Sequence, residues 1–304
     1  MMKRYIHKGL VWIDLESPTT TEVQGLMKEF EIYPHVAQEL LLPTFKPKVD
    51  LYKNFIYLIL HFPVFKHSHN QGTSQEIDFI IGKNFVITTR YDTVDSVHRF
   101  SKSFEVNSIL DKDIVGDHAG YIFYGMISEL YKSLLDELDF IKDSLSDIEE
   151  KIFTGKEREM VMDLSKVSRT LLTFHHTTGA HKNVLLSLQS AGKKFFGEEF
   201  TYPLQEIMNE YGKIEHAISV QMESLREMRE TNNSLLETKQ NEVMKVLTLM
   251  SFISMPFAII AGFYSMDLNN TPFVSNPNSF WLVIGIMCLF SIVIIVMFKK
   301  RKWF

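Results

Sequence analysis

The sequence predicts an α+β membrane protein: a soluble α/β domain first, a long helical stalk next and two transmembrane helices last. Three observations carry this. Strand-like and helix-like patterns alternate over residues 1–115. After Pro203 no proline occurs until Pro256, and only Gly212 interrupts the helix-forming run. Two stretches, Val246–Tyr264 and Phe280–Phe298, are each 19 residues long and uncharged.

The elements follow in order. "GLVWIDL" reads as a strand. "ESPTTTEVQGLMKEF" opens a helix, because Thr19 and Glu22 have capping-box spacing and Pro18 suits a first turn. "FIYLILHFPVF" is strand-like, and "EIDFIIGKNFVITTRY" is a hairpin turning at Gly82-Lys83-Asn84. The polar "KHSHNQGTSQ" between them is a loop. From about Asp117 the period changes to three and four: Ile127, Leu130, Leu134, Leu138, Ile141, Leu145, Ile148 and Ile152 share a face, and Gly155 ends the helix. A second long helix is expected from Glu157 to Gln189, then a loop over "SAGKKFFGEEFTYP". One helix then runs from about Pro203 into the first apolar stretch. At ~1.5 Å per residue it reaches ~90 Å, too long for a globular element, so several chains are expected side by side.

A helix of 19 residues crosses a hydrocarbon core of ~30 Å. Lys299, Lys300, Arg301 and Lys302 follow the second stretch directly, and the connector Ser265–Ser279 has no Lys or Arg. Positive charge stays on the cytoplasmic side, so both termini are expected there, in a cell (inner) membrane. The N-terminus turns polar too soon for a signal peptide. Cys288 is the sole cysteine, so no intrachain disulfide forms. The net charge is −5; residues from Lys245 onward carry +4, so the first 244 carry −9. That excludes nucleic acid as a partner of the soluble part and suits a cation. The expected divisions are 1–115 (α/β), 116–242 (stalk region), 243–266 (first span), 267–279 (outer loop), 280–298 (second span) and 299–304 (basic tail).

Within the first span, Asn241, Met244, Thr248, Ser251, Met255, Ala258, Gly262 and Ser265 recur at alternating steps of three and four. This seam is smaller and more polar than the faces carrying Leu249, Phe252, Ile253, Phe257 and Ile260. Such a seam either packs helices together or lines water. Pro256 removes one backbone donor and leaves the Phe252 carbonyl short of its helical partner. Asp267 is the one charged residue between Lys245 and Lys299.

At these residues the chain resembles the CorA family of magnesium transporters. The resemblance is carried by "TKQNEVMKVLTLMSFISMPFAIIAGFYSMDL", "PFVSNPNSFW" and "FKKRKWF", with "WIDLESPT", "FKPKVDLY" and "YPLQEIMNEYG" upstream. It implies a funnel-shaped homopentamer in a lipid bilayer, with Mg²⁺ or another divalent cation as cargo and possible regulator, and no permanently bound cofactor. It implies a polar pore ring at Asn241, a narrow hydrophobic gate at Met244, Leu247 and Met255, room for a hydrated ion at Gly262, and a positive collar at Lys299–Lys302. Ala258 stands where a hydroxyl is often found. Glu206 matches an acid of an inter-subunit regulatory metal site. At the outer mouth the family's Gly-Met-Asn signature reads Ser265-Met266-Asp267.

The expected function is divalent cation uptake, most of all of Mg²⁺, gated by cytoplasmic divalent cation. The rivals are a proton-linked Zn²⁺, Co²⁺ or Ni²⁺ transporter of the same fold and a non-conducting membrane scaffold or sensor. An enzyme is not expected, since no Ser-His-Asp set, P-loop or cysteine cluster is present. The acids Asp136, Glu137, Asp139, Asp143, Asp147, Glu149 and Glu150 read first as a solvated face. The resemblance adds an ion-concentrating or divalent-sensing role to them. His67 and His69 share a face if extended, and His175, His176 and His181 do not share one on a helix.

Overall fold

The computed structural model describes residues 2–63, 74–92, 94–109, 116–264 and 279–300. The chain divides into two compact units, Met1–Arg229 and Glu230–Phe304.

The first unit is built on one six-stranded sheet. Its strands are β1 (Met2–His7), β2 (Leu10–Glu16), β3 (Lys48–Leu51), β4 (Phe55–Pro63), β5 (Ser74–Gly82) and β6 (Phe85–Arg90), in the spatial order β1-β2-β6-β5-β4-β3. Every pairing is antiparallel except β2 with β6. The β1–β2 turn is Lys8-Gly9, both at positive φ (46° and 79°). Two left-handed residues match the right-handed twist of a hairpin, which is why glycine serves there. The expected β5–β6 hairpin turns through Lys83 and Asn84.

Strand alternation divides the core into two layers. On one face Ile13, Leu15, Phe55, Tyr57, Ile59, Ile80 and Ile87 pack beneath α1 (Thr20–Glu29) and α2 (Pro34–Glu39) through Val23, Leu26, Val36 and Ala37. The capping box of α1 is present: Thr19 Oγ1 accepts from Glu22 N at 3.3 Å, and Glu22 Oε2 accepts from Thr19 N at 2.9 Å. On the other face Trp12 lies against Phe100 and Phe104 of α3 (Asp95–Ile109). There Phe79 meets Phe123 of α4 (Gly120–Phe153) edge to face.

The expected face of α4 is buried from Ile127 to Ile152, and the acids from Asp136 to Glu150 lie on the solvated side. Gly155, at φ 94°, follows the helix end. The single helix expected over Glu157–Gln189 is instead two: α5 (Glu157–Gly179) and α6 (His181–Phe196), parted at Ala180. His181 opens α6 and reaches the sheet, where its Nε2–H donates to the His61 carbonyl at 2.7 Å and its Nδ1 accepts from the Tyr131 hydroxyl at 3.0 Å. The loop expected over "SAGKKFFGEEFTYP" is also corrected. α6 continues to Phe196, a 3-10 turn spans Glu198–Phe200, and α7 begins at Thr201. α7 (Thr201–Tyr264) is 64 residues long, ~96 Å at 1.5 Å per residue.

His181 is thus a core histidine. Burial depresses it to about 4, outweighing the help of the His61 carbonyl. Between pH ~6.5 and about 4 the unfolded chain binds a proton at His181 that the folded chain refuses, so this group's share of stability is lost as pH falls through that window. His181→Gln is expected to flatten the acid limb of the thermal stability–pH curve of the full chain in detergent, relative to wild type. An unchanged acid limb would show that His181 is not neutral in the fold.

Candidate functional site

The second unit contains the C-terminal part of α7 and α8 (Ser279–Lys300). Both helices are long and apolar enough to cross a membrane. Phe252 of α7 and Phe298 of α8 lie 6.0 Å apart between ring centroids. Along α7 the half-buried positions include Leu249, Ile253, Pro256, Phe257 and Ile260, spaced as one stripe.

The seam lies elsewhere on the helix. Asn241, Met244, Leu247, Ser251, Met255, Ala258 and Gly262 are exposed, and Thr248 is half-buried. A shallow groove of about 430 Å³ runs along this face, lined by Ser251, Phe252, Ser254, Met255 and Ala258. A side chain added at Gly262 would meet nothing within 4 Å of its Cβ. Among the described residues, packing inside one chain therefore does not call for glycine there. The seam repeats every 3.5 residues, so on a straight helix it drifts by ~20° per heptad. It faces one axis throughout only if the helices wind left-handedly around it.

The seam's hydroxyls are oriented by their own helix. Thr248 Oγ1 donates to the Met244 carbonyl at 2.7 Å, and Ser251 Oγ to the Leu247 carbonyl at 3.0 Å. Beside the seam, Ser254 Oγ donates to the Met250 carbonyl at 2.8 Å. With the hydroxyl hydrogens turned inward, the oxygens are left to accept. A hydrated cation presents water O–H donors outward, so this is the polarity that would receive one. Ser265, Met266 and Asp267 lie outside the described residues, as do Arg301, Lys302, His67 and His69. Lys299 and Lys300 form the exposed last turn of α8.

In the first unit, Glu206 of α7 is exposed and accepts from the Tyr124 hydroxyl of α4 at 2.5 Å. Burial and this contact push the Tyr124 phenol up to about 12. One helical turn on, Glu210 is half-buried, and burial raises its carboxyl above the usual range. Sequence reading selected Glu206 and missed Glu210, although i,i+4 spacing put both on one face. Among the described residues no three His, Cys, Asp or Glu side chains are grouped to hold a metal. His175 and His176 are exposed neighbours on α5.

The family model of CorA-like Mg²⁺ transporter proteins matches residues 7–300. The chain belongs to that family. The cobalt/magnesium transport protein CorA of Methanocaldococcus jannaschii is 24% identical over 297 residues, covering 97% of this chain and 91% of the relative. The cobalt/magnesium transport protein CorA of Thermotoga maritima is 25% identical over 294 residues, covering 96% and 83%. The complete structure of the CorA magnesium transporter from Methanocaldococcus jannaschii superposes with a TM-score of 0.84, at 24% identity, over 97% of this chain and 92% of that one. The soluble α/β part, the long helix and the two apolar helices are therefore the CorA fold, and this CorA-like chain is a membrane protein of a metal ion transport family.

Proposed function

We propose that this CorA-like protein carries Mg²⁺ across the inner membrane as a homopentameric channel. The observation that bears most on this is the seam of α7. Its oxygens are left as acceptors, and Gly262 is smaller than the described residues around it require. Five such seams around one axis would make a lumen with a polar ring at Asn241 and a tight apolar girdle at Met244, Leu247 and Met255. Thr248, Ser251, Ala258 and Gly262 would line the wider part above. Magnesium dehydrates reluctantly and keeps several waters, so a lumen that accepts hydrogen bonds from those waters suits it. Ser265, Met266 and Asp267 would form the outer mouth. Lys299, Lys300, Arg301 and Lys302 would form a positive collar on the cytoplasmic side, where both termini lie. Bound divalent cation at Glu206, with ligands from a neighbouring subunit, would hold the soluble funnel closed when internal Mg²⁺ is high.

Flux into liposomes tests this directly. The full chain in vesicles with an inside-negative potential is expected to take up Mg²⁺ in a saturable way. Ser251→Lys, which places an ammonium on the seam, is expected to reduce uptake at least about tenfold, since a charge there repels the cargo. Uptake that requires a pH gradient would favour a proton-linked carrier of Zn²⁺, Co²⁺ or Ni²⁺. No uptake of any divalent cation by folded protein would favour a scaffold or sensor.

A further inference from the structure

The sheet holds a second constellation, remote in sequence from the seam. β5 alternates, so Glu76, Asp78 and Ile80 point to the face covered by α1 and α2. Asp78 is fully buried, and neither of its carboxyl oxygens has a hydrogen-bond partner. Thr89, directly opposite it on β6, is also fully buried with an unpartnered hydroxyl. So is Tyr57 on β4, one diagonal step away.

Among the described residues, the cations near this group are committed elsewhere. Lys48 of β3 lies 2.8 Å from Glu39 of α2 and 3.1 Å from Asp50. Arg90 points to the opposite face and bonds Asp14 and Glu16. His61 of β4 lies 3.1 Å from Glu76, with its Nε2–H also reaching the Thr44 carbonyl at 2.8 Å. The charges that act on Asp78 are the Glu76 and Glu39 carboxylates, with Lys48 opposing them weakly. The phenols of Tyr57 and Tyr91 also face this group and remain neutral, pushed well above their ordinary range by burial first and then by Asp78, Glu39 and Glu76. Among the described residues, an ionised Asp78 would thus be a desolvated charge, surrounded by like charge, with no donor. Removing a charge from water without a partner is so costly that the group takes up a proton instead. Burial and the two carboxylates hold the Asp78 carboxyl well above its ordinary range, in agreement with this packing.

We propose that Asp78 and Glu76 form a proton-binding site, in which Asp78 carries a proton on one carboxyl oxygen at neutral pH and directs it toward Glu76. The ligand is a hydron rather than a metal: the cluster offers two acids and one histidine, not a grouped set of ligands. The route to solvent is visible. Glu76, His61, Thr44, Tyr91 and Asp92 line an open pocket of about 290 Å³. Glu76 is held in its wall by the Thr44 amide at 2.6 Å and the Thr44 hydroxyl at 3.2 Å. A proton leaving Asp78 passes to Glu76 and from there to water or to His61. Asp78 then becomes a bare anion between β4, β5 and α2, and that side of the soluble unit loosens. The proposal stands whether or not the chain conducts ions.

Infrared spectroscopy of the full-length protein in lipid, with ¹³C-labelled aspartate, reads the site. A protonated aspartyl carbonyl band is expected at pH 7, absent in Asp78→Asn and shifted but retained in Glu76→Gln. A protonated carboxyl band at the unlabelled position instead, lost in Glu76→Gln and retained in Asp78→Asn, would place the proton on Glu76 and overturn the assignment. Thermal unfolding supplies the second readout. The folded state holds a proton that the unfolded state releases above pH ~4, so this contribution to stability declines as pH rises toward the folded-state value. The unfolding constant is therefore expected to rise with pH about tenfold per unit more steeply in wild type than in Asp78→Asn. His61→Gln is the control for the nearby imidazole. Burial lowers the His61 pKa, but Glu76 and the Thr44 carbonyl outweigh it and raise it, so the imidazole contributes a slope of the same sign. Equal slopes in wild type and Asp78→Asn would overturn the proposal. So would stabilisation at pH 7 by Na⁺ or Mg²⁺ that depends on Asp78, since the occupant would then be a metal cation.

Discussion

Asparagine in place of Asp267 is expected to weaken the apparent affinity for divalent cation about tenfold, ~1.4 kcal/mol, and to raise the maximal flux. Asp267 occupies the place of a neutral amide in the family signature, and it is the sole charge between Lys245 and Lys299. In the pentamer proposed above, five carboxylates crowd one axis. Like charges at close range raise one another's pKa and titrate as a set, so the ring's charge depends on pH and on occupancy. A divalent ion relieves the repulsion and is gripped harder than by five amides. Conduction needs a site weak enough to release what it binds, so grip and throughput move in opposite directions. The amide variant is near-isosteric, which keeps the mouth's shape and isolates the charge. Concentration-dependent uptake of Mg²⁺, Co²⁺ and Ni²⁺ into liposomes measures both quantities. Unchanged affinity and flux for every ion would mean that Asp267 contacts solvent at the membrane face and not the ion.

The readable parts of this chain are those in which a local rule and the tertiary structure agree. The capping box at Thr19 and Glu22 fixes the start of α1 because both partners lie within one turn. The face of α4 from Ile127 to Ile152 buries as its spacing requires, since a long helix on a sheet has one apolar side. The 64-residue α7 was legible from the scarcity of breakers. What was hidden depended on contacts far away in sequence. At the start of α6 His181 reaches the His61 carbonyl, 120 residues away, and no helix propensity reports that contact. β1 was missed because "MKRYIH" is mostly exposed and carries no alternation; its partner β2 and the Lys8-Gly9 turn define it. Asp78 sits inside "EIDFII", where a strong apolar pattern concealed that one of its buried positions is an acid. The seam could be read as a periodicity, but not as lumen or as packing, because that choice depends on chains beyond the one in hand.

Removing the Asp14 carboxylate is expected to cost about 3–5 kcal/mol of stability, the range for breaking one side of a buried ion pair. Asp14 and Arg90 meet across the parallel β2–β6 pair, both close to fully buried, with Arg90 Nη2 at 3.1 Å from Asp14 Oδ2. Asp14 Oδ1 also accepts from the Thr88 hydroxyl at 2.9 Å, and Thr88 in turn accepts from the Trp12 indole at 3.0 Å. Alanine at position 14 leaves the guanidinium with Glu16, whose carboxylate is 39% exposed and screened, and with the Asp92 carbonyl. It also leaves the Thr88 hydroxyl to the more distant Ile13 carbonyl, at 3.4 Å. The loss arises mainly from the stranded charge rather than from the pair's own worth, because a buried ion pair only roughly offsets its desolvation. That distinction can be measured. Asp14→Leu and Arg90→Met should each destabilise the full chain in denaturant titrations, while the double variant should recover most of the loss. Single losses that simply add in the double variant would mean that each side chain contributes by packing alone and that no coupled ion pair exists in the sheet.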